Sequence, residues 1–168
     1  MTQQSAVLQP AVRVKGPPVW LDMDQQALDE AYDQEKYAPN RAQVVERRLA
    51  NSERTRANLG PPMRLGYGPT GIEKLDVFKT AKANAPINIF IHGGGWLRNK
   101  AADFPLQAEL FVNAGAHHVL LDFVNIDQVD GSLFPMADQV RRAMRAGSAP
   151  RQWASPASIA VMPTSCWP

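Results

Sequence analysis

The sequence contains one cysteine in 168 residues, Cys166, which excludes an internal disulfide framework and a multi-thiolate zinc site. It also lacks charge of one dominant sign. The formal net charge is +2, and the Lys and Arg residues are mixed with acids, so the electrostatic footprint of a nucleic-acid binder is missing. No apolar run approaches the ~20 residues that span a bilayer. Met1-Thr2-Gln3-Gln4-Ser5-Ala6-Val7 has neither the cationic start nor the apolar run of a secretory leader. These absences lead us to expect a cytoplasmic protein with no nucleic-acid or membrane partner. No internal repeat is visible. What remains is 45% hydrophobic and 20% charged residues, the composition of an ordinary globular domain large enough to bury a core.

Residues 1–18 end in Lys15-Gly16-Pro17-Pro18 without a period and read as an extended arm. From there the pattern is helical. Asp24 is placed to cap a helix carrying Ala27, Leu28, Ala31 and Tyr32 and ending before Pro39. Asn40 is placed to cap a second helix with Val44, Val45, Arg48 and Leu49, fading before Gly60-Pro61-Pro62; its mixed charges predict a largely solvated surface. After Pro62 the period becomes two. Residues 63–67 and 72–78 read as an antiparallel strand pair turned at Gly68-Pro69-Thr70-Gly71. Ile87-Asn88-Ile89-Phe90-Ile91 reads as a buried central strand, residues 106–113 as a helix closed by Gly115, and residues 117–124 as a second buried strand. Pro135 opens a last helix through Met136, Val140 and Met144. Strand, crossover helix, strand, helix is the grammar of a parallel sheet covered on both faces, with the hairpin at one edge.

Three consecutive glycines after a buried strand are entropically costly to order. Their usual benefits are a positive φ and close approach of backbone N–H groups to a ligand. Two such N–H groups aimed at one point can hold the negative oxygen of a tetrahedral intermediate in acyl transfer; a plain strand-to-loop turn is the alternative. With His92 before the triplet and Trp96 after it, Ile89-Phe90-Ile91-His92-Gly93-Gly94-Gly95-Trp96 resembles the HGGG-type esterase, lipase and arylformamidase branch of the α/β-hydrolase superfamily. Leu28-Asp29-Glu30-Ala31-Tyr32 through Tyr37-Ala38-Pro39-Asn40 is similar to the leading helix of kynurenine-formamidase-like members. The resemblance runs from about Trp20 to Ala143. It implies an α/β fold, an incomplete α/β-hydrolase with a mostly parallel sheet, an antiparallel N-terminal strand pair and preceding helices. It implies that Gly93 and Gly94 supply oxyanion N–H groups. His92, Gly95 and Trp96 would support the loop, Trp96 either packing beneath it or lining an acyl pocket, with plain core packing an equal alternative for its ring. The intact parent would hydrolyse a small ester or amide through a serine acyl-enzyme, with no cofactor and no metal.

The other half of that chemistry is missing from the sequence. No Gly-x-Ser-x-Gly elbow occurs, and no nucleophile, acid or base of a triad can be identified. All three histidines, His92, His117 and His118, precede the place where the serine belongs, and His117 and His118 read as structural. Asp122, Asp127 and Asp130 match no metal-ligand spacing and read as solvated strand-end acids. Residues 147–168 hold four of the 14 prolines, two of the four tryptophans and the cysteine, with no Asp, Glu or Lys. The expected division is therefore an arm at 1–18, the N-terminal part of a hydrolase domain at 19–146, and an aberrant, disordered tail at 147–168. A reading frame lost near Met144–Gly147 accounts for that tail; a genuine divergent C-terminus is the alternative. Three functional expectations follow. The chain is a truncated hydrolase inactive alone, or a non-catalytic binding protein built on the half-fold, or a piece completed by a complementing C-terminal fragment. A sheet stopped after about four strands would leave a long apolar edge unpaired, and with it poor solubility.

Overall fold

The computed structural model of the chain describes residues 14–148 and the backbone of residues 159–162. The chain divides into two compact units between Ala42 and Gln43.

In the first unit, β1 (Pro18–Trp20) pairs antiparallel with β2 (Met23–Asp24), turning through Leu21 at a positive φ of 49°. This hairpin lies partly inside the segment expected as an arm; the remainder of that arm, residues 1–13, lies outside the described residues. Asp24 works twice. One carboxylate oxygen accepts from the Ala27 N–H at 2.9 Å, capping α1 (Gln25–Tyr32), and the other accepts from the Gly16 N–H at 2.7 Å. The single helix expected up to Pro39 is broken at Asp33. Its carboxylate accepts from the Glu35 N–H at 3.1 Å and starts a separate turn, α2 (Gln34–Tyr37), because a short acidic side chain competes for backbone donors.

The second unit is built on a five-stranded sheet. Within it lie α3 (Arg41–Leu59, entering from the first unit), β3 (Met63–Gly66), β4 (Lys74–Phe78), β5 (Ile87–Phe90), α4 (Ala108–Asn113), β6 (His117–Leu121), α5 (Leu133–Ser148) and β7 (Ile159–Met162). The strand order is β3-β4-β6-β5-β7. β3 and β4 form the expected hairpin at one edge, and β4 also runs antiparallel to β6, whereas β5 pairs parallel with both β6 and β7. The fold class read from the sequence holds, with an antiparallel share larger than the hairpin alone supplies.

Strand alternation sorts the core into two layers. Leu75, Val77, Ile87, Ile89, Val119 and Leu121 face α5 through Met136 and Ala143. Phe78, Phe90 and Leu120 face the other way, onto Phe104 and Ala108. Every residue of β5 and β6 is buried, which is why these strands read as continuous apolar runs. Each large aliphatic side chain sealed this way contributes roughly 1.5–3 kcal/mol. Gly115, at φ 81°, ends the α4 segment as expected, and two 3₁₀ turns precede that helix because Pro105 opens the second of them.

The second helix is largely solvated, as expected, with Val44 and Leu49 exposed; its buried residues are Ser52 and Thr55. α3 docks through polar side chains, with Ser52 Oγ donating to the Asp103 carbonyl at 3.1 Å and Arg56 to the Ala102 carbonyl at 2.7 Å, so an apolar-periodicity search selects the wrong face. Two expectations are corrected. Asp122 is buried, not solvated. Finally, Ile159–Met162 lies in the segment expected as a disordered tail yet pairs with β5. Pro156 and Pro163 bound this short β-prone run without interrupting it, and the β5 edge offers a ready ladder. The rest of 149–168 lies outside the described residues. Among the described residues no helix is long and apolar enough to cross a membrane.

Candidate functional site

At the end of β5 the chain leaves the sheet through Ile91 and His92 into the glycine triplet. His92 is buried, its ring stacked between Phe123 (centroids 4.5 Å apart, planes 13°) and Phe104 (5.7 Å, 5°). The Arg48 guanidinium lies 4.4 Å from the Phe104 ring centroid. The stack thus clamps the imidazole plane while α3 contributes a cation to its outer layer. Burial pushes the His92 imidazole below the ordinary histidine range, keeping it neutral, although its bond to Gly93 opposes that shift.

The loop's internal bonds fix its peptide planes. His92 Nδ1 donates to the Gly93 carbonyl at 3.1 Å, and Asn99 Nδ2 donates to the same oxygen at 2.8 Å. The Gly94 carbonyl accepts from the Leu97 N–H at 3.2 Å, and the Trp96 carbonyl from the Ile126 N–H at 2.9 Å. In a trans peptide the N–H points opposite to the C=O. With the Gly93 and Gly94 carbonyls turned onto these internal donors, the N–H groups of Gly94 and Gly95 are turned away from them. Among the described residues the N–H groups of Gly93, Gly94 and Gly95 have no hydrogen-bond partner. His92 Nε2 is likewise buried without a partner among these residues. Because Nδ1 carries the proton given to Gly93, Nε2 is a bare acceptor.

Glycine is required at one position in particular. Gly94 has φ 143°, and a Cβ there would run into the Arg98 carbonyl and the Asn99 side chain. Gly95 (φ 60°), Trp96 (φ 66°) and Asn99 (φ 80°) continue the left-handed stretch. A tryptophan in this region is strained by roughly 1–2 kcal/mol, held there by the Trp96–Ile126 bond. Trp96 is 57% exposed, which removes core packing as its role.

Beside the loop is a niche of ≈ 10 Å³ lined by His92, Gly93, Trp96, Arg98, Phe123 and Asn125. That is about the room one water needs, so no acyl-sized pocket exists there among the described residues. A larger cavity of ≈ 230 Å³, lined by Leu59, Met63, Phe78, Lys79 and Val112 among others, shares no residue with the loop.

Beneath the site, Asp122 is a scaffold. One oxygen accepts from the Ala101 N–H at 2.6 Å and the other from Arg64 at 2.6 Å; Arg64 also pairs with Asp76, and the Tyr67 hydroxyl donates to the Asp122 carbonyl at 2.5 Å. This fixes the end of β6, and with it Phe123 against His92. Sequence reading missed Phe104, Phe123 and Asp122 as supports, since each acts through a contact distant in sequence. It placed His117 and His118 as structural. His117 Nδ1 accepts from the Thr80 N–H at 3.2 Å, and His118 lies inside the sheet, bonded to Asn88 at 2.8 Å.

No family model matches the sequence, and no curated protein matches it. Solved structures do. A candidate thioesterase from Silicibacter sp. TM1040 aligns with a TM-score of 0.68 at 23% identity, over 80% of this chain and 50% of its own. The chain has a partial α/β-hydrolase fold. A thermophilic esterase from the planctomycete Thermogutta terrifontis shares that hydrolase-like sheet with a TM-score of 0.51 at 20% identity, over 61% of this chain and 40% of its own. Its propionate-bound form aligns equally, at 0.51 and 20%. This chain therefore spans half the length of the first of these structures, and less of the second.

Proposed function

We propose that residues 92–96 form the oxyanion loop of a serine ester or aryl-formamide hydrolase of the HGGG type, and that these 168 residues alone do not turn substrate over. One observation carries the loop reading: adjacent glycine N–H groups without partners among the described residues, at the open end of a buried strand, with the Gly93 and Gly94 carbonyls bonded inward. Gly93 and Gly94 supply oxyanion donors, and Gly95 offers a third N–H. His92, Gly95 and Trp96 set the loop's shape. Two N–H donors at such a position stabilise charge that develops on a carbonyl oxygen during acyl transfer.

The second part rests on sequence. No Gly-x-Ser-x-Gly occurs; the residues after β7 read Pro163-Thr164-Ser165-Cys166-Trp167, with proline and tryptophan where a strained elbow requires glycine. No histidine follows. An oxyanion hole accelerates nothing unless a nucleophile creates the oxyanion.

The test is incubation of the purified chain with p-nitrophenyl acetate and with a serine-reactive fluorophosphonate. The expected result is no burst and no covalent labelling. Labelling abolished by Ser165→Ala would overturn the inactivity and name the nucleophile. Labelling that appears only when a second polypeptide is added would favour a complementing fragment.

A further inference from the structure

We infer that Arg48 is a positioning residue for the glycine loop: it holds the Phe104 ring against His92, and His92 in turn holds the Gly93 carbonyl inward. This rests on the oxyanion-loop reading above for its purpose, and adds to it the residue that keeps the loop in shape.

α3 presents one polar stripe to the chain just beyond the loop. Residues 48, 52 and 56 recur every four positions and so share a helix face. They meet three successive residues in reverse order. Arg48 lies over the Phe104 ring, Ser52 Oγ donates to the Asp103 carbonyl at 3.1 Å, and Arg56 donates to the Ala102 carbonyl at 2.7 Å. Ser52 and Arg56 bond the backbone, which fixes where the chain runs. Arg48 touches a side chain instead, and that side chain lies parallel to the His92 ring, within 5°.

Stability does not account for this contact. Among the described residues Arg48 makes no ion pair and its buried Nε has no hydrogen-bond partner, whereas Arg41, Arg56, Arg64, Arg141 and Arg142 each hold a carboxylate. Leaving such a donor unmet costs about as much as a cation over an aromatic ring contributes. What the contact supplies is a fixed Phe104. The other wall of the stack, Phe123, follows directly on Asp122, whose carboxylate is bonded to Ala101 and Arg64. Hydrogen bonding alone would not keep the imidazole between these walls. Nδ1 is bonded to Gly93, but no group among the described residues meets the buried Nε2, and a ring turned toward solvent would satisfy it. Such a turn leaves the Gly93 carbonyl to Asn99 alone. The Gly94 N–H belongs to the same peptide, so its direction is released with that carbonyl.

The experiment follows the His92 imidazole nitrogens and the Gly93 and Gly94 amides by NMR in the ¹⁵N-labelled whole chain. The wild type is expected to show one protonated and one bare ring nitrogen, the Nδ1–H tautomer. Arg48→Ala should average the two nitrogen signals and shift both glycine amides, while far-UV circular dichroism stays unchanged because Arg48 is partly exposed. Arg48→Lys, which keeps a cation for the ring, should restore most of the wild-type signature. A merely structural role would move the unfolding midpoint and leave the tautomer as it is. Phe104→Leu should give the same averaging, and adding Arg48→Ala to it should change nothing further. An unchanged imidazole in Arg48→Ala, no rescue by lysine, or a full additional shift in the Phe104→Leu background would overturn the assignment. No substrate enters these measurements, so their failure leaves the oxyanion reading to the labelling test above.

Discussion

Glu73 and His92 are both polar side chains sealed in the second unit, at 0% and 4% exposure, and their surroundings are opposite in kind. Glu73 has every acceptor position occupied. One oxygen takes two bonds from Arg142, at 2.8 and 2.5 Å, and the other takes the Thr70 N–H at 2.9 Å and the Thr70 hydroxyl at 2.7 Å. Burial would raise its pKa, but the Thr70 and Arg142 interactions prevail and hold the carboxyl below the ordinary range. His92 is held by two aromatic rings and one bond, and among the described residues its second nitrogen is bare and the three amides beside it have no partner. A saturated cluster serves the fold, since burying an unmet polar group costs about 1–3 kcal/mol and evolution has little reason to keep one. An unsaturated cluster at the open end of a strand is, on the function proposed above, where a ligand completes the set. His118 is the control: its Nε2 and the Asn88 amide are also unmet, yet they lie inside the sheet on Phe111, where no ligand can reach. There the deficit is a liability of the fold.

That control gives the largest expected effect. Burial lowers the His118 pKa to about 4, whereas an unfolded histidine titrates near 6.5. The unfolded chain therefore binds more protons between these values. Stability is full above the unfolded value and is lost as pH falls toward the folded one, by on the order of 3 kcal/mol. His92 and His117 are shifted the same way and add to the slope. Replacing both members of the internal pair, His118→Leu with Asn88→Val, should leave stability near pH 7.5 within about 1 kcal/mol and flatten most of the loss down to pH 4. Urea unfolding at several pH values measures it, and parallel pH curves for variant and wild type would break the contrast between a deficit inside the sheet and one at its open end.

The saturated cluster is next. Arg142→Met strands the Glu73 carboxylate on Thr70 alone. Breaking a buried pair costs about 3–5 kcal/mol, but Arg142 is 40% exposed and Thr70 remains, so about 2–3 kcal/mol is expected at pH 7. The sign with pH follows from the lowered folded pKa. The contribution is present above the unfolded carboxylate value of about 4.5 and vanishes as pH falls through the folded one, so variant and wild type should converge in acid. A deficit that persists unchanged at low pH would mean that the Arg142 stem, and not its charge, supports α5.

Much of this architecture is legible in the sequence. The hairpin, β5, β6, the Asp24 cap and the Gly115 stop all follow from local pattern and turn chemistry, which act over a few residues. What escaped depends on partners far along the chain. Ser52 and Arg56 look like surface residues until the carbonyls of 103 and 102 are set beneath them, and Asp122 looks solvated until Arg64 and Ala101 arrive. β7 was hidden because Pro156 and Pro163 suggested irregular chain, while the evidence for a strand lay in the unpaired edge of β5. At the site, the glycine triplet was visible as a loop that tolerates positive φ. The sequence did not reveal that Gly94, more than its neighbours, is the position without an alternative, or that Phe104 and Phe123 clamp His92.

That difference among the glycines yields the smallest and most local effect. Gly94→Ala places a methyl group against the Arg98 carbonyl at φ 143°, a conformation that other residues rarely adopt, so the loop must shift. We expect about 1–2 kcal/mol of destabilisation in urea, with changed resonances for Asn99 and the Gly93 and Gly95 amides. Gly95→Asn is the matched control: φ is 60°, a Cβ there meets nothing within 4 Å, and asparagine tolerates the left-handed region, so the loss should stay below about 1 kcal/mol. Because the loop's inward bonds run through the Gly93, Gly94 and Trp96 carbonyls, neither change should reach the Glu73 cluster, and the pH dependence that Glu73 sets should be identical in both variants. If Gly94→Ala altered that acid limb, the two polar regions would be coupled through the sheet. The division between a saturated scaffold and an open, locally strained loop would then have to be given up.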